Sequence, residues 1–299
     1  MKFFAGLFAV IALALNAAAF AADENVVAFV NVSVAPMDGR GVLKNQIVIV
    51  EGDRIRTMIS SPGPIEPTTY VPPADATVID GAGKFLIPGL GEMHGHIPPL
   101  SQGDQAVNDI LFLYLSNGVT TVRGMLGSSG QLALREDVLS GARLSPTLYL
   151  AGPSFNGNSI SSPEQAIERV KTQVEEGWDL LKIHPGLTRA EYDAMAATAN
   201  ELGIDFAGHV PQEVGFAHAL AAGQRTFDHI DGYITYLGGG DKPVDEDALR
   251  AVARETKDAG AGIVPTSALW ASFLGVNDRD TLFNLPELQY MPASTVAGW

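Results

Sequence analysis

Two hydrophobic rhythms divide the chain. Near the N-terminus, apolar residues gather in short β-rich runs, Val26–Val34, Gln46–Glu51 and Arg54–Ile59, broken by the turn-forming stretches Pro36-Met37-Asp38-Gly39 and Glu51-Gly52-Asp53. These predict a small antiparallel sheet. A proline-rich bridge, Ser61–Ala74, leads to Ala76–Asp80 and then to Phe85-Leu86-Ile87-Pro88-Gly89-Leu90, where the pattern changes. From Leu90 onward short apolar segments alternate with amphipathic helical ones, the mark of repeated βα units around a parallel sheet. Seven strands are predicted: Leu90–His94, Val119–Met125, Thr147–Pro153, Leu180–His184, Asp205–Val210, Thr226–His229 and Gly262–Thr266. The clearest helices between them are Ser162–Glu176, Thr188–Leu202 and Asp245–Ala259, with capped starts at Ser162-Pro163-Glu164 and at Thr188-Arg189-Ala190-Glu191 and stops at Gly177, Gly203 and Gly260. Seven such units fit an α/β fold of the (β/α)8 TIM-like barrel type without its last strand. An open doubly wound sheet competes, weakened by the lack of a G-x-G-x-x-G turn after the first strand.

Composition narrows the class. With 299 residues, 46% of them hydrophobic, the chain can bury a large core, and no segment joins low hydrophobicity to a run of like charge, which argues against disorder. The formal charge of −15 repels phosphate backbones and anionic membranes, which argues against nucleic acid or an anionic membrane as a partner. Residues 1–21 hold Lys2, an apolar stretch from Phe3 to Leu15 and a small-residue end at Ala19-Phe20-Ala21, a pattern that predicts a cleaved signal peptide and secretion, to the periplasm first or else to the medium. No later stretch is long and apolar enough to anchor the chain in a membrane. Cysteine is absent, which removes disulfides, thiolate ligands and a lipidated cysteine. The domain boundaries expected are 1–21 for the signal peptide, 22–88 for a small β-sandwich and 89–299 for the barrel.

The histidines carry the chemistry. There are six, and four of them, His94, His96, His209 and His229, stand at or just past the C-terminal ends of predicted strands one, five and six. In a barrel those ends converge on one mouth, where residues remote in sequence can meet around an ion. His94 and His96, two residues apart, share one face of an extended strand. A lone histidine in an apolar strand is more often a hydrogen-bonded core residue, but four recurring at one end of successive strands weaken that reading. Lys182 closes strand four; as an ammonium it would be repelled by a metal, whereas carboxylation would make it a carbamate able to bridge two ions about 3.5–4 Å apart. Pairing with a barrel carboxylate is its structural alternative, and His184 is the rival ligand from that strand or a substrate contact from the loop. His218, in a small-residue helical stretch, reads as structural. Arg123 and Tyr233 are each either substrate contacts or, respectively, a barrel salt bridge and a packing aromatic, and Glu92 is either a strand-face carboxylate near the metal or, as the favoured reading, placed to orient a neighbour.

Leu86-Ile87-Pro88-Gly89-Leu90 followed by His94-Gly95-His96 resembles the opening signature of the amidohydrolase superfamily. Gly118-Val119-Thr120-Thr121-Val122-Arg123, Gly141-Ala142-Arg143-Leu144-Ser145-Pro146, Gly208-His209-Val210 and Asp228-His229 are similar to its imidazolonepropionase-like and Xaa-Pro dipeptidase-like branches. The resemblance runs from about Val26 to the C-terminus. It implies a distorted TIM barrel with a small β-sandwich, and metal ligands at His94, His96, Lys182, His209 and His229. The implied cofactor is one or two divalent ions, zinc first and manganese, iron or nickel as alternatives, with Lys182 carboxylated as a bridge. The implied reaction is hydrolysis of a carbon–nitrogen bond in an amide, cyclic amide or dipeptide by a metal-activated water. The implied partner is a small-molecule or short-peptide substrate, with a homo-oligomer left open.

The family also places a proton-shuttling aspartate at the end of strand eight. No such strand follows Gly262–Thr266, so the chain reads as truncated, its catalytic residue unassigned, with Asp278 and Asp280 poor substitutes. Two smaller departures are Glu92 and Gly124, at positions where an aspartate is usual. The alternative is a non-catalytic metal-binding fragment or degenerate relative that lacks the general base.

Overall fold

A computed structural model describes residues 26–60, 76–240 and 242–298. The expected signal peptide and the bridge Ser61–Ala74 lie outside the described residues. The chain divides between Pro88 and Gly89 into two compact units, each described by itself.

Among the described residues the first unit is one sheet of five strands: β1 (Val26–Val34), β2 (Leu43–Glu51), β3 (Arg54–Ser60), β4 (Thr77–Asp80) and β5 (Phe85–Leu86). The order is β3-β2-β1-β4, with β5 also on β1. The β1–β2 and β2–β3 pairs are antiparallel, whereas β4 and β5 run parallel to β1. The sheet is therefore mixed, not purely antiparallel, and among the described residues it has no second layer that would make it the expected sandwich. Alternation of apolar and polar residues fixes which face a strand buries, not which strand it pairs with. Ile47 and Ile49 pack with Ala28, while Val48 packs with Val32 and Val34, so β2 buries side chains of both parities.

The second unit holds seven strands: β6 (Leu90–Gly95), β7 (Val119–Gly124), β8 (Thr147–Leu150), β9 (Leu180–Ile183), β10 (Asp205–Gly208), β11 (Thr226–Asp228) and β12 (Gly262–Val264). All neighbours are parallel: β6-β7-β8 in one run and β9-β10-β11-β12 in another. Bridges from Ala151 to Leu180 and from Phe155 to Ile183 link the segment after β8 to β9. Spatial order thus follows chain order throughout, as βα repeats require. Each strand begins where the hydrophobic pattern places it and ends one to three residues sooner or, at β6, one later.

Ten short or medium helices connect and follow the strands: α1 (Asp104–Ser116), α2 (Gln131–Leu139), α3 (Pro163–Glu176), α4 (Arg189–Leu202), α5 (Phe216–Ala221), α6 (Tyr233–Tyr236), α7 (Glu246–Asp258), α8 (Ser267–Leu274), α9 (Arg279–Phe283) and α10 (Ala293–Ala297). The Ser162 hydroxyl accepts from the Gln165 amide, Thr188 and Glu191 form a reciprocal capping box, and Asp245 accepts from the Ala248 amide. Such caps satisfy amides the helix itself leaves unpaired. After β12 the expected loop is helical instead, and Asp278 caps α9 by accepting from Thr281. No described helix is long and apolar enough to cross a membrane.

Strand parity sorts the side chains that matter. Leu181, Ile183, Phe206 and Phe227 pack outward into a core with Tyr192, Met195 and Val252 from α4 and α7. The opposite parity faces inward, where Leu180, Ala207, Met125 and Ala151 touch one another. Lys182 and Asp228 have that inward parity and are both fully buried. The sheet curls enough for β6 and β7 to reach β11 across its inner face: His94 donates to Asp228, and Arg123 to Thr226.

Candidate metal centre

The carboxylate of Asp228 organises the inner face. His94 Nδ1 donates to its Oδ2 at 2.8 Å, the Lys182 ammonium lies 3.5 Å from the same oxygen, and the Thr226 hydroxyl donates to its Oδ1 at 3.1 Å. Arg123 approaches Oδ1 at 3.7 Å while donating to Met93 O at 2.8 Å and to the Thr226 hydroxyl at 2.9 Å. Burial alone would raise the Asp228 pKa, but the His94 hydrogen bond and the charges of Lys182, His94 and Arg123 outweigh it and hold the carboxyl below its ordinary value. Burial lowers the Lys182 pKa, opposed by the charge and hydrogen bond of Asp228. Arg123 thus takes part in a salt bridge with Asp228 on the inner face.

The imidazoles form a chain across the strand ends. Ring centroids stand 5.2 Å apart for His96 and His94, 4.4 Å for His94 and His229, and 4.8 Å for His229 and His209, with His184 stacked on His209 at 5.0 Å. In three of these rings Nδ1 is already engaged: His94 with Asp228, His209 with Asp231, and His229 with the Thr266 hydroxyl at 2.8 Å. A carboxylate partner fixes the proton on Nδ1 and leaves the lone pair on Nε2, the arrangement found behind metal-ligating histidines. Desolvation, reinforced by the neighbouring cationic side chains, pushes the His184 and His229 pKa values down to about 4 and lowers that of His96. Neutral imidazole is the form that can ligate a metal.

Local backbone explains the placement. Gly208 sits at φ +128°, and a Cβ there would lie 2.4 Å from the Ile183 carbonyl oxygen. Only glycine fits, and the turn it makes ends β10 so that His209 follows with its amide on the Ile183 carbonyl and its ring against His184. His229 and Ile230, both at φ 59°, turn the chain out of β11, and Thr266 at φ 47° turns it out of β12. Left-handed non-glycine residues of this kind cost about 1–3 kcal/mol each and gather at functional sites. The His94 amide donates to Glu92 Oε1 at 2.6 Å, so Glu92 braces the C-terminal end of β6, where the histidine pair begins.

All five residues expected to bind metal, His94, His96, Lys182, His209 and His229, thus fall on one side of the sheet at its strand ends, linked through ring contacts and Asp228. His218 is elsewhere, bound to Asp193 and Arg189, as its structural reading required. Tyr233 is a packing aromatic, its ring against Phe216 and Phe227 and its hydroxyl on Thr256 at 2.7 Å. Asp228, Asp231 and Thr266 had no role assigned from sequence; the signal for Asp228 was its inward parity one residue before His229. Among the described residues no three His, Cys, Asp or Glu side chains are already closed on a single point. In kind, however, four imidazoles beside a buried lysine and carboxylate suit a divalent cation of the zinc type.

No protein-family model and no curated sequence matches the chain. Solved structures do. The chain shares 18% identity with a Xaa-Pro dipeptidase with bound methionine in its active site, at TM-score 0.64 over 85% of this chain and 70% of that one. A prolidase candidate from Bifidobacterium longum gives 23% identity and TM-score 0.57 over 69% and 54%, and molinate hydrolase 16% and 0.61 over 78% and 62%. The resemblance to the amidohydrolase superfamily holds in the fold, which this chain shares with these proteins and with others solved as amidohydrolases. The chain spans about half to seven tenths of their length.

Proposed function

We propose that the protein is a metal-dependent hydrolase of the amidohydrolase superfamily, acting on a carbon–nitrogen bond in an amide, cyclic amide or dipeptide. Its seven parallel strands are read as seven of the eight of a TIM-like barrel, with the first unit as part of a small β domain. The observation that carries the reading is the meeting of His94 and Lys182 on one buried carboxylate, with His229 and His209 ranged beside His94. A divalent ion held by His94, His96, Lys182, His209 and His229 would lower the pKa of a bound water toward about 7 and polarise a carbonyl.

The chain's own residues do the rest. Asp228 and Asp231 hold the His94 and His209 imidazoles in one tautomer and Thr266 helps to orient His229, so that little reorganisation accompanies binding. Burial favours the neutral amine of Lys182, the form that adds to carbon dioxide; the new N–C bond gives a carbamate and releases one proton. The signal-like composition of residues 1–21 supports export, with a periplasmic location proposed, and a small molecule or short peptide is the proposed substrate.

A second reading, metal binding without turnover, is favoured by one observation. The two carboxylates touching the imidazoles, Asp228 and Asp231, are both committed to histidine Nδ1, so neither is free to shuttle a proton. Assay of a dipeptide and amide panel, with and without zinc, separates the readings. Zinc-dependent turnover abolished by a chelator supports the hydrolase. Turnover that survives the chelator contradicts it, and zinc uptake with no turnover favours the second reading.

A further inference from the structure

Beside His96, the loops that follow β6 and β7, together with Ile110 of α1, line a partly open cavity of about 450 Å³, within the size range of small-molecule sites. Its walls are Ile97, Pro98, Pro99, Ile110 and Leu126, with His96 contributing to the lining. The remaining lining residues are Gln102, Gly127 and Ser128, so no carboxylate, ammonium or guanidinium faces a ligand there. The Ser128 hydroxyl is buried without a hydrogen-bond partner and has no surface open to the cavity, so the face a ligand meets is mainly apolar.

The cavity is held open by design of the two loops. Gln131, 2% exposed at the start of α2, accepts from the Ser128 amide through Oε1 and donates to the Ile97 carbonyl through Nε2, each at 3.2 Å. One buried side chain therefore ties both loops together. Gly127 donates to the Gly152 carbonyl at 3.3 Å, and a Cβ on it would meet the Ala151 carbonyl oxygen at 2.4 Å. Two successive prolines stiffen the other wall. A pocket fixed in advance spends little of its binding energy on ordering.

We propose that this cavity is the side-chain subsite of the substrate, taking one uncharged apolar group of leucine or phenylalanine size next to His96. The proposal rests on the hydrolase reading above for the word substrate, while the ligand chemistry rests on the cavity. An apolar side chain entering these walls gains about 10- to 100-fold in affinity over hydrogen. A charged one loses its hydration with no partner to replace it.

The test is calorimetric titration of the full-length chain with the α-amides of N-acetylated leucine, phenylalanine, glycine, lysine and aspartate. Leucine and phenylalanine compounds are expected to bind at least tenfold more tightly than the other three. Leu126→Asp and Leu126→Trp, at a position 40% exposed and so outside the packed core, are expected to remove that preference while the melting temperature holds. Equal binding of charged and apolar compounds, no binding of any, or a preference untouched in both variants overturns the subsite. Turnover of the same compounds is measured separately. Hydrolysis without side-chain selectivity leaves the hydrolase reading standing and removes the subsite, whereas selective binding without hydrolysis does the reverse.

Discussion

Asp228→Asn keeps the shape of the buried side chain and removes its charge, which isolates what that charge does. In the parent, one fully buried carboxylate answers Lys182 at 3.5 Å, Arg123 at 3.7 Å and His94 at 2.8 Å. An asparagine leaves Lys182, also fully buried, without a counter-charge. Breaking a buried pair by removing one partner costs about 3–5 kcal/mol, against a typical total of roughly 5–15 kcal/mol. Some of that cost is recovered when Lys182 releases its proton, so the lower end, about 3 kcal/mol, is expected. With a urea slope near 3 kcal/mol per molar, the unfolding midpoint should fall by about 1 M. The assay is urea denaturation of metal-free protein in degassed buffer, where Lys182 carries no carboxyl group. Lys182→Met combined with Asp228→Asn removes both members of the pair and should recover about 1.5–3 kcal/mol relative to additivity. A midpoint shift under 0.2 M, or strict additivity in the double variant, would refute the claim that Asp228 is the electrostatic keystone.

Three further outcomes follow from the same structure. Gly208→Ala forces a Cβ to within 2.4 Å of the Ile183 carbonyl at a φ of +128°, so a loss of about 3 kcal/mol or more and a weakened metal site are expected, measured by thermal unfolding and zinc titration. In metal-free protein the His184 and His229 imidazole resonances should titrate near pH 4, not 6.5. Because the unfolded chain takes up those protons first, stability should decline as pH falls from about 6.5 toward 4; resonances titrating at 6.5 would contradict the burial argument. At the alkaline end burial raises the pKa values of Tyr114, Tyr192 and Tyr233 above 10.0. Their contribution is intact below pH 10 and lost above it, so ultraviolet titration should show part of the tyrosinate signal appearing only with unfolding.

Much of this was legible in the residues because strand ends are local. The pairing of inward and outward parity in Leu180–Ile183, the C-terminal glycines and the capping box at Thr188 are written within a few positions. The histidine cluster was legible because βα repeats convert four positions in sequence into one end of a sheet. What was not legible depends on partners far apart. Asp228 meets His94 across 134 positions, and the hydrogen-bonding of Asp231 and Thr266 appears only once the strands are assembled. The expectation that Asp205–Val210 is all strand failed at Gly208, whose positive φ turns the chain first. In the first unit, the parallel return of β4 and β5 to β1 was hidden because alternation carries no information on strand direction.

The central claim is that His94, with its partners, binds a divalent ion, and metal content tests it most directly. The chain is incubated with zinc, freed of excess and analysed for bound metal beside His94→Ala, with circular dichroism confirming that both are folded. The account predicts one or two zinc ions per parent chain and a loss of at least one in the variant. An unchanged stoichiometry, or a parent that holds no zinc, would contradict it.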